Sequence, residues 1–248
     1  MEVQNMSKNN NLYVWQHACE TDPSATKKST VDGHSQTSIN AHWMIKKATE
    51  LFGPIGKGWG FEIVEERTDG GHDQIDAEGN LIGQARWHTV LIALWYENRE
   101  QKVYAYGHTA YVQYVRKGSY WRTDGEAPKK SLTDAIKKAL SLLGIAADIY
   151  LGHFDDPYYI QAQQSRENVE QATDKAAAAK DEADKYEQKL TANIKTMTDA
   201  LSLHEFELIY KALIREATIR DSKTAQKRIA IAYQTKKETF KNEQPKPD

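Results

Sequence analysis

Gln84-Ala-Arg-Trp-His-Thr-Val-Leu-Ile-Ala-Leu-Trp-Tyr96 is apolar in both of its alternating sets. Trp87, Leu91, Ala93 and Trp95 form one set, Val90, Ile92, Leu94 and Tyr96 the other, the pattern of a strand covered on both faces. The short polar run Glu97-Asn-Arg-Glu-Gln101 suits a hairpin tip, and Lys102 to Val115, rich in Tyr and Val, reads as the partner strand. Upstream, Trp59 to Glu66 reads as a third strand. Between it and Gln84, Asp69-Gly-Gly-His-Asp-Gln-Ile-Asp-Ala-Glu-Gly79 carries the turn chemistry of an exposed loop.

A helix flanks this meander on each side. Ala41, Met44, Ile45, Ala48, Leu51 and Phe52 make one apolar stripe, which predicts a helix from about Ile39 to Phe52 with Ser38 as N-cap and Gly53-Pro54 as the stop. Pro128 opens a second helix running to about Tyr150. Its apolar side is Leu132, Ile136, Ala139, Leu143, Ala147 and Tyr150, within roughly 80° of one another on a helical wheel. Lys130, Asp134, Lys137, Lys138 and Ser141 project on the opposite side. The order helix, three-stranded antiparallel sheet, helix defines an α+β fold with a helix laid on one sheet face.

The 248-residue chain changes character near residue 160. All six Trp precede that point, while residues 161–248 hold neither Gly nor Trp and read as an all-helical C-terminal module. Val169, Ala172, Ala176, Ala179, Ala183, Tyr186, Leu190 and Met197 follow a heptad-like spacing whose seam is mostly Ala. Ser202-Leu-His-Glu205 is a capping box, with Leu201 and Phe206 placed as a hydrophobic staple. A short helix through Ile214 and another from about Ser222 to Phe240 follow. The expected organisation is a flexible segment at 1–20, an α+β domain at 21–160, the helical module at 161–243 and a disordered tail at 244–248.

Composition narrows the function classes. Apolar residues make up 40% and charged residues 27%, with 33 Lys+Arg against 35 Asp+Glu, a soluble globular balance with a net charge of −2. No run approaches the roughly 18 apolar residues of a membrane span, and Met1 to Asn11 lacks the apolar core of a secretion signal. Cys19 is the only cysteine, which excludes an intramolecular disulfide and a multi-cysteine zinc site. A cytoplasmic protein is expected. The global charge does not favour nucleic acid, so such binding must rest on local clustering. Residues 115–138 provide it, with seven basic residues against three acidic ones.

Motifs for catalysis fail on context. In Gly53-Pro-Ile-Gly-Lys-Gly-Trp-Gly60, Lys57 is followed by Gly58 instead of Ser or Thr, and the loop follows a helix and precedes a strand, the reverse of a phosphate-binding loop. Ser24-Ala-Thr-Lys27 has the spacing of serine acylases without their companion motifs. His153-Phe-Asp155-Asp156, with Asp148 nearby, is a candidate hard-metal cluster, although acidic residues after a helix are more often solvated turns. No acid/base pair, cofactor site or catalytic residue is nominated. The basic residues are more promising: Arg116, Lys117 and Arg122 precede Lys129, Lys130, Lys137 and Lys138 on or beside one helix face, where they neutralise phosphates or form an ordinary solvated surface.

Leu51-Phe-Gly-Pro-Ile-Gly-Lys-Gly-Trp59, Thr133-Asp-Ala-Ile-Lys-Lys-Ala-Leu-Ser-Leu-Leu-Gly144 and the hairpin between them resemble the Rad fifty-two-like single-strand annealing proteins. Ala146-Ala-Asp-Ile-Tyr-Leu-Gly-His-Phe-Asp-Asp156 resembles their phage branch, and the likeness covers roughly residues 20 to 160. The resemblance implies ATP-independent annealing of complementary single strands in recombination or repair, by rings or helical arcs that carry single-stranded DNA in a positively charged outer groove. By position, Lys137 and Lys138 match the basic pair on the groove-lining helix. Lys27 and Lys28, after Thr21-Asp-Pro23, match a basic residue before the first helix, and Arg99 an outer DNA contact. Lys130 supports them. Ser141 and Ser38 depart from the pattern, standing where eukaryotic relatives place a basic residue and a tyrosine. The implied partners are single-stranded DNA, further copies of the chain and, through the C-terminal helices, a single-strand-binding protein or exonuclease in a bacterial host cell. Two rivals remain: a metal-dependent nuclease using His153, Asp155 and Asp156, and an oligomeric scaffold that binds no nucleic acid.

Overall fold

The computed structural model describes residues 10–31 and 34–242. The chain divides into two compact units, the first ending at Leu151 and the second beginning at Gly152. In the first unit the order is α1 (Tyr13–Ala18), β1 (Thr26–Val31), β2 (His34–Ile39), α2 (Ala41–Phe52), β3 (Trp59–Ile75), β4 (Leu81–Tyr96), β5 (Asn98–Val115), β6 (Tyr120–Thr123), α3 (Ala127–Leu142) and α4 (Ala147–Tyr150). β1 and β2 pair as a separate hairpin, while β3-β4-β5-β6 form one antiparallel sheet in chain order. The mixed α+β class is thus observed, with four strands in the sheet where three were expected.

Apolar side chains of α2 and α3 meet one sheet face. Met44 and Ala48 from α2, Ala135, Ile136, Ala139 and Leu140 from α3, and Val90, Ile92 and Leu94 from β4 are buried in a single core with Trp59. The small residues of α3 allow a close approach to β5, and Gly107 completes it. A Cβ built there would lie 2.0 Å from the Ser131 carbonyl oxygen and 2.5 Å from the Ala135 nitrogen. Ser131 Oγ donates 2.9 Å to the His88 carbonyl, tying the helix to β4 as well.

Several elements differ from the sequence expectation for identifiable reasons. β3 runs on through the glycine-rich stretch to Ile75, because bulges between Ile63 and Glu65 and between Gly70 and Asp73 absorb the register. Ser38 lies in β2, and Asn40 caps α2 by accepting from the His42 N–H. The helix predicted to Tyr150 stops at Leu142, since Gly144 (φ +105°) and Ala146 (φ 55°) take left-handed conformations before α4. Within the segment expected to be flexible, α1 packs Ala18 into the core. The second face of β4 is partly open: Thr89, Ala93 and Trp95 are buried, but Trp87 is 36% exposed, and on β5 Tyr104 and Tyr106, opposite Ala93 and Leu91, are 58% and 49% exposed.

The second unit holds α5 (Pro157–Gln171), α6 (Lys175–Asp199), α7 (Leu203–Ile219) and α8 (Lys223–Asn242). The division precedes residue 160 because the His153–Asp155 turn and α5 pack with these helices. Leu190, Met197, Phe206, Leu213, Ala217, Ala225 and Ile229 form their core. The heptad seam is broken: α5 ends before Ala172, Asp174 caps α6, and Ala176, Ala179 and Ala183 are exposed. The Ser202 cap forms, accepting 3.2 Å from the Glu205 N–H, but Leu201 is 94% exposed and makes no staple with buried Phe206. The tail predicted at 244–248 lies outside the described residues.

Gly107→Ala is expected to cost about 1–3 kcal/mol of stability, because α3 must lift from the sheet to admit the methyl. A lower denaturant midpoint with unchanged far-UV circular dichroism is the expected reading.

Candidate nucleic-acid interface

The buried side of α3 turns its charged side outward. Ala135, Ile136, Ala139 and Leu140 face the core, so Lys130, Asp134, Lys137 and Lys138 stand on the accessible side. Asp124 organises the entry to the helix: its carboxylate accepts 3.1 Å from the Glu126 N–H and 2.5 Å from Lys130 Nζ. The Lys130 ammonium, together with the Glu126 N–H, holds the Asp124 carboxyl below its ordinary pKa. One turn into the helix, Lys138 Nζ lies 2.8 Å from Asp134 Oδ2, and Lys129 Nζ lies 3.0 Å from Glu126 Oε2. Lys137 makes no ion pair among the described residues. Ser141 Oγ donates 2.8 Å to the Lys138 carbonyl, closing the last turn with a local bond.

Lys27 and Lys28 stand on a different element. In the β1–β2 hairpin Lys27 is directly opposite Ser38 and Lys28 opposite Thr37, whose hydroxyl accepts 2.8 Å from Lys28 Nζ. Ser38 thus stands across from Lys27, and Ser141 is bonded to the Lys138 carbonyl. The hairpin root is fixed by the Asn40 N–H donating 2.8 Å to the Ala25 carbonyl and by buried Ile39. Just upstream, Asp148 accepts from the Thr21 N–H (2.7 Å) and Thr21 Oγ1 (2.6 Å), which ties this region to α4.

Arg99, at the start of β5, braces the glycine turn. Its Nη2 donates 2.9 Å to the Gly56 carbonyl, and its guanidinium lies 4.6 Å from the Trp95 ring centroid. The structure thus groups Lys130, Lys137 and Lys138 on one helix and places Lys27, Lys28 and Arg99 on two other elements. Asp124, which holds Lys130, escaped the sequence reading. Its signal is the Asp-Gly turn before Pro128, an N-terminal anchor that reaches six residues forward.

The rival cluster is differently arranged. Asp156 caps α5 by accepting 2.9 Å from the Tyr158 N–H and also receives Arg215 Nε at 2.7 Å. The His153 ring meets Tyr159 edge-on at 5.1 Å, and Asp148 is buried against Thr21. Among the described residues no group of three or more His, Cys, Asp or Glu side chains gathers in a metal-binding arrangement. Ser24 of the acylase-like motif donates 2.7 Å to Asp22, its own turn cap. None of the described helices is long and apolar enough to cross a membrane. No family model matches the chain, and no curated protein matches it.

The lowered pKa of Asp124 has a defined sign. Its ion pair contributes fully above the ordinary aspartate pKa of about 3.9 and is lost as pH falls through the lower folded value. Asp69, lowered by its bond from Thr89 and then by Arg67, acts in the same direction. Denaturation midpoints are expected to fall as the pH drops from about 5 to below 3, and Asp124→Asn to flatten part of that slope.

Proposed function

We propose that the chain binds single-stranded DNA and anneals complementary strands without ATP in homologous recombination and repair. It does so as a ring or arc of copies of the Rad fifty-two-like kind, in the cytoplasm of a bacterial host carrying a phage or plasmid recombination system. The observation that carries this reading is α3: a helix locked against the sheet by Gly107 and Ser131, presenting Lys130, Lys137 and Lys138 on one accessible side. Lysine contacts to phosphate are independent of sequence, as a protein that pairs any two complementary strands requires. Among the described residues Lys137 has no carboxylate to give up, whereas Lys130 and Lys138 exchange Asp124 and Asp134 for phosphate oxygens.

In this reading the first unit is the annealing domain. Lys27 and Lys28 on the hairpin add phosphate contacts, and Arg99 serves an outer one while bracing its turn. A net charge of −2 is tolerable because copies arrayed along one strand act together. The reaction makes and breaks no covalent bond, so it calls for no catalytic residue or cofactor. The C-terminal helices serve recruitment of a single-strand-binding protein or exonuclease.

Two complementary labelled oligonucleotides, mixed without ATP and with EDTA across a salt series, test the reading. Acceleration over spontaneous pairing that fades with salt is expected; no acceleration and no strand binding at low salt would overturn it, and strand degradation restored by a divalent ion would favour the nuclease. Lys137→Ala with Lys138→Ala is expected to weaken single-strand binding about tenfold or more and to reduce the salt slope by about 1.4, the value for two fewer neutralised phosphates.

A further inference from the structure

The first unit leaves the sheet face opposite α3 partly open, and the residues of that face fall into three columns. β4 supplies an apolar ridge in which Trp87 is exposed, Leu91 half-buried and Ala93 covered, while β3 presents the acceptors Glu62, Glu65 and Asp69. β5 presents the donors Lys102, Tyr104 and Tyr106. The rows are in register: Glu62, Ala93 and Tyr104 stand abreast, as do Glu65, Leu91 and Tyr106. Toward one end a groove of about 450 Å³ opens between Arg67, Asp69, Trp87, Thr89, Tyr106 and His108. Trp87, Tyr104 and Tyr106 stay exposed on this face, and exposed aromatic patches of this kind mark interaction sites.

The chemistry of the face selects the occupant. Two of its cations are already neutralised: Lys102 Nζ lies 2.7 Å from Glu62 Oε2, and Arg67 lies 2.8 Å from both Glu65 and Asp69. Arg99, stacked on Trp95, stands at the hairpin end; over the Glu62–Asp69 stretch three carboxylates meet two such cations, so this stretch is a poor fit for a polyanion. Its columns instead complement themselves. A two-fold axis along β4 lays β3 of one copy over β5 of the other and sets the β4 ridges against each other. Each Glu62 carboxylate then meets the Tyr104 hydroxyl of the second copy, and each Glu65 meets its Tyr106. An axis across the strands would set carboxylates against carboxylates.

We propose that this open face is a two-fold interface between two copies of the chain, formed by face-to-face packing of their sheets. The contact is closed, so growth of a ring or arc in the annealing reading uses a different surface. The two proposals therefore fail separately.

The test is made on the full-length chain by sedimentation and mass photometry over a concentration series. The unsubstituted protein is expected to form dimers or even-numbered assemblies. Tyr104→Glu with Tyr106→Glu places carboxylates opposite Glu62 and Glu65 and is expected to raise the dimer dissociation constant at least about a hundredfold, with unchanged circular dichroism. Leu91 lies on the axis and so faces its own copy. In a Cys19→Ser background, Leu91→Cys is expected to yield a covalent dimer with a short bismaleimide spanning the roughly 10 Å between packed sheets. A protein that is monomeric at every concentration, or an assembly whose Leu91→Cys form does not cross-link, overturns the proposal. Lys137→Ala with Lys138→Ala is expected to leave the mass unchanged while weakening strand binding, which separates this interface from the DNA reading.

Discussion

The first unit depends on how closely α3 lies against β4 and β5. At Gly107 the helix backbone approaches so near that a Cβ would meet the Ser131 carbonyl oxygen at 2.0 Å, and the Ser131 hydroxyl fixes the rotation of the helix through the His88 carbonyl. A helix held at this distance cannot roll. Rolling would force the lysines into the core, where an unpaired charge is prohibitively costly, or lift Ala135 and Ala139 out of it. The outward orientation of Lys130, Lys137 and Lys138 is therefore a consequence of packing, reinforced by the cost of burying their charge.

The ion pairs on that outer side are weak because of their surroundings. Lys130 and Asp124, or Lys138 and Asp134, are exposed or partly exposed, and such pairs contribute little net stability. A low-cost internal partner holds a lysine in position and yields to a better acceptor. A phosphate in the annealing reading is such an acceptor, and the exchange leaves Asp124 still bonded to the Glu126 N–H at the helix entry. A buried pair behaves differently. In the helical unit, Glu216 is nearly inaccessible and lies 2.9 Å from Lys189 and 3.5 Å from Arg220, an arrangement that fixes helices and is not available for exchange.

What the sequence reveals and what it hides follow from the range of the forces involved. The stripes of α2 and α3, the β4–β5 hairpin and the Ser202 cap are local patterns, and each is found, with α3 ending at Leu142 short of the Leu143–Tyr150 part of its stripe. β3 hides its length because Gly70 and Gly71 look like a turn in one dimension. In three dimensions Gly71 gives room to the Trp87 ring, and Asp69 is held by Thr89 from the next strand. The Ala-rich heptads suggest one long seam, but spacing carries no information about a partner surface, and the first half of α6 has little to pack on. The six candidate residues were legible as basic positions. That Lys130, Lys137 and Lys138 share a helix face was legible from their spacing, whereas the bracing of Gly56 by Arg99 depends on a contact across more than forty residues.

A chain with more acidic than basic residues presents a basic surface only if its fold sorts the two signs. The carboxylates Glu62, Glu65 and Asp69 line up on the open sheet face, whereas the α3 lysines lie beyond the sheet and beyond a helix about 10 Å across. The Debye length at physiological salt is about 8 Å, shorter than that separation. Each face therefore acts on its surroundings mainly through its own charges, and the overall −2 describes neither. The layered fold does the separating: strands give alternate residues to opposite faces, and the core between them keeps the two charge sets from cancelling. In the annealing reading a polyanion approaches the helix side, and the aromatic side with its carboxylates is left to the proposed contact between copies.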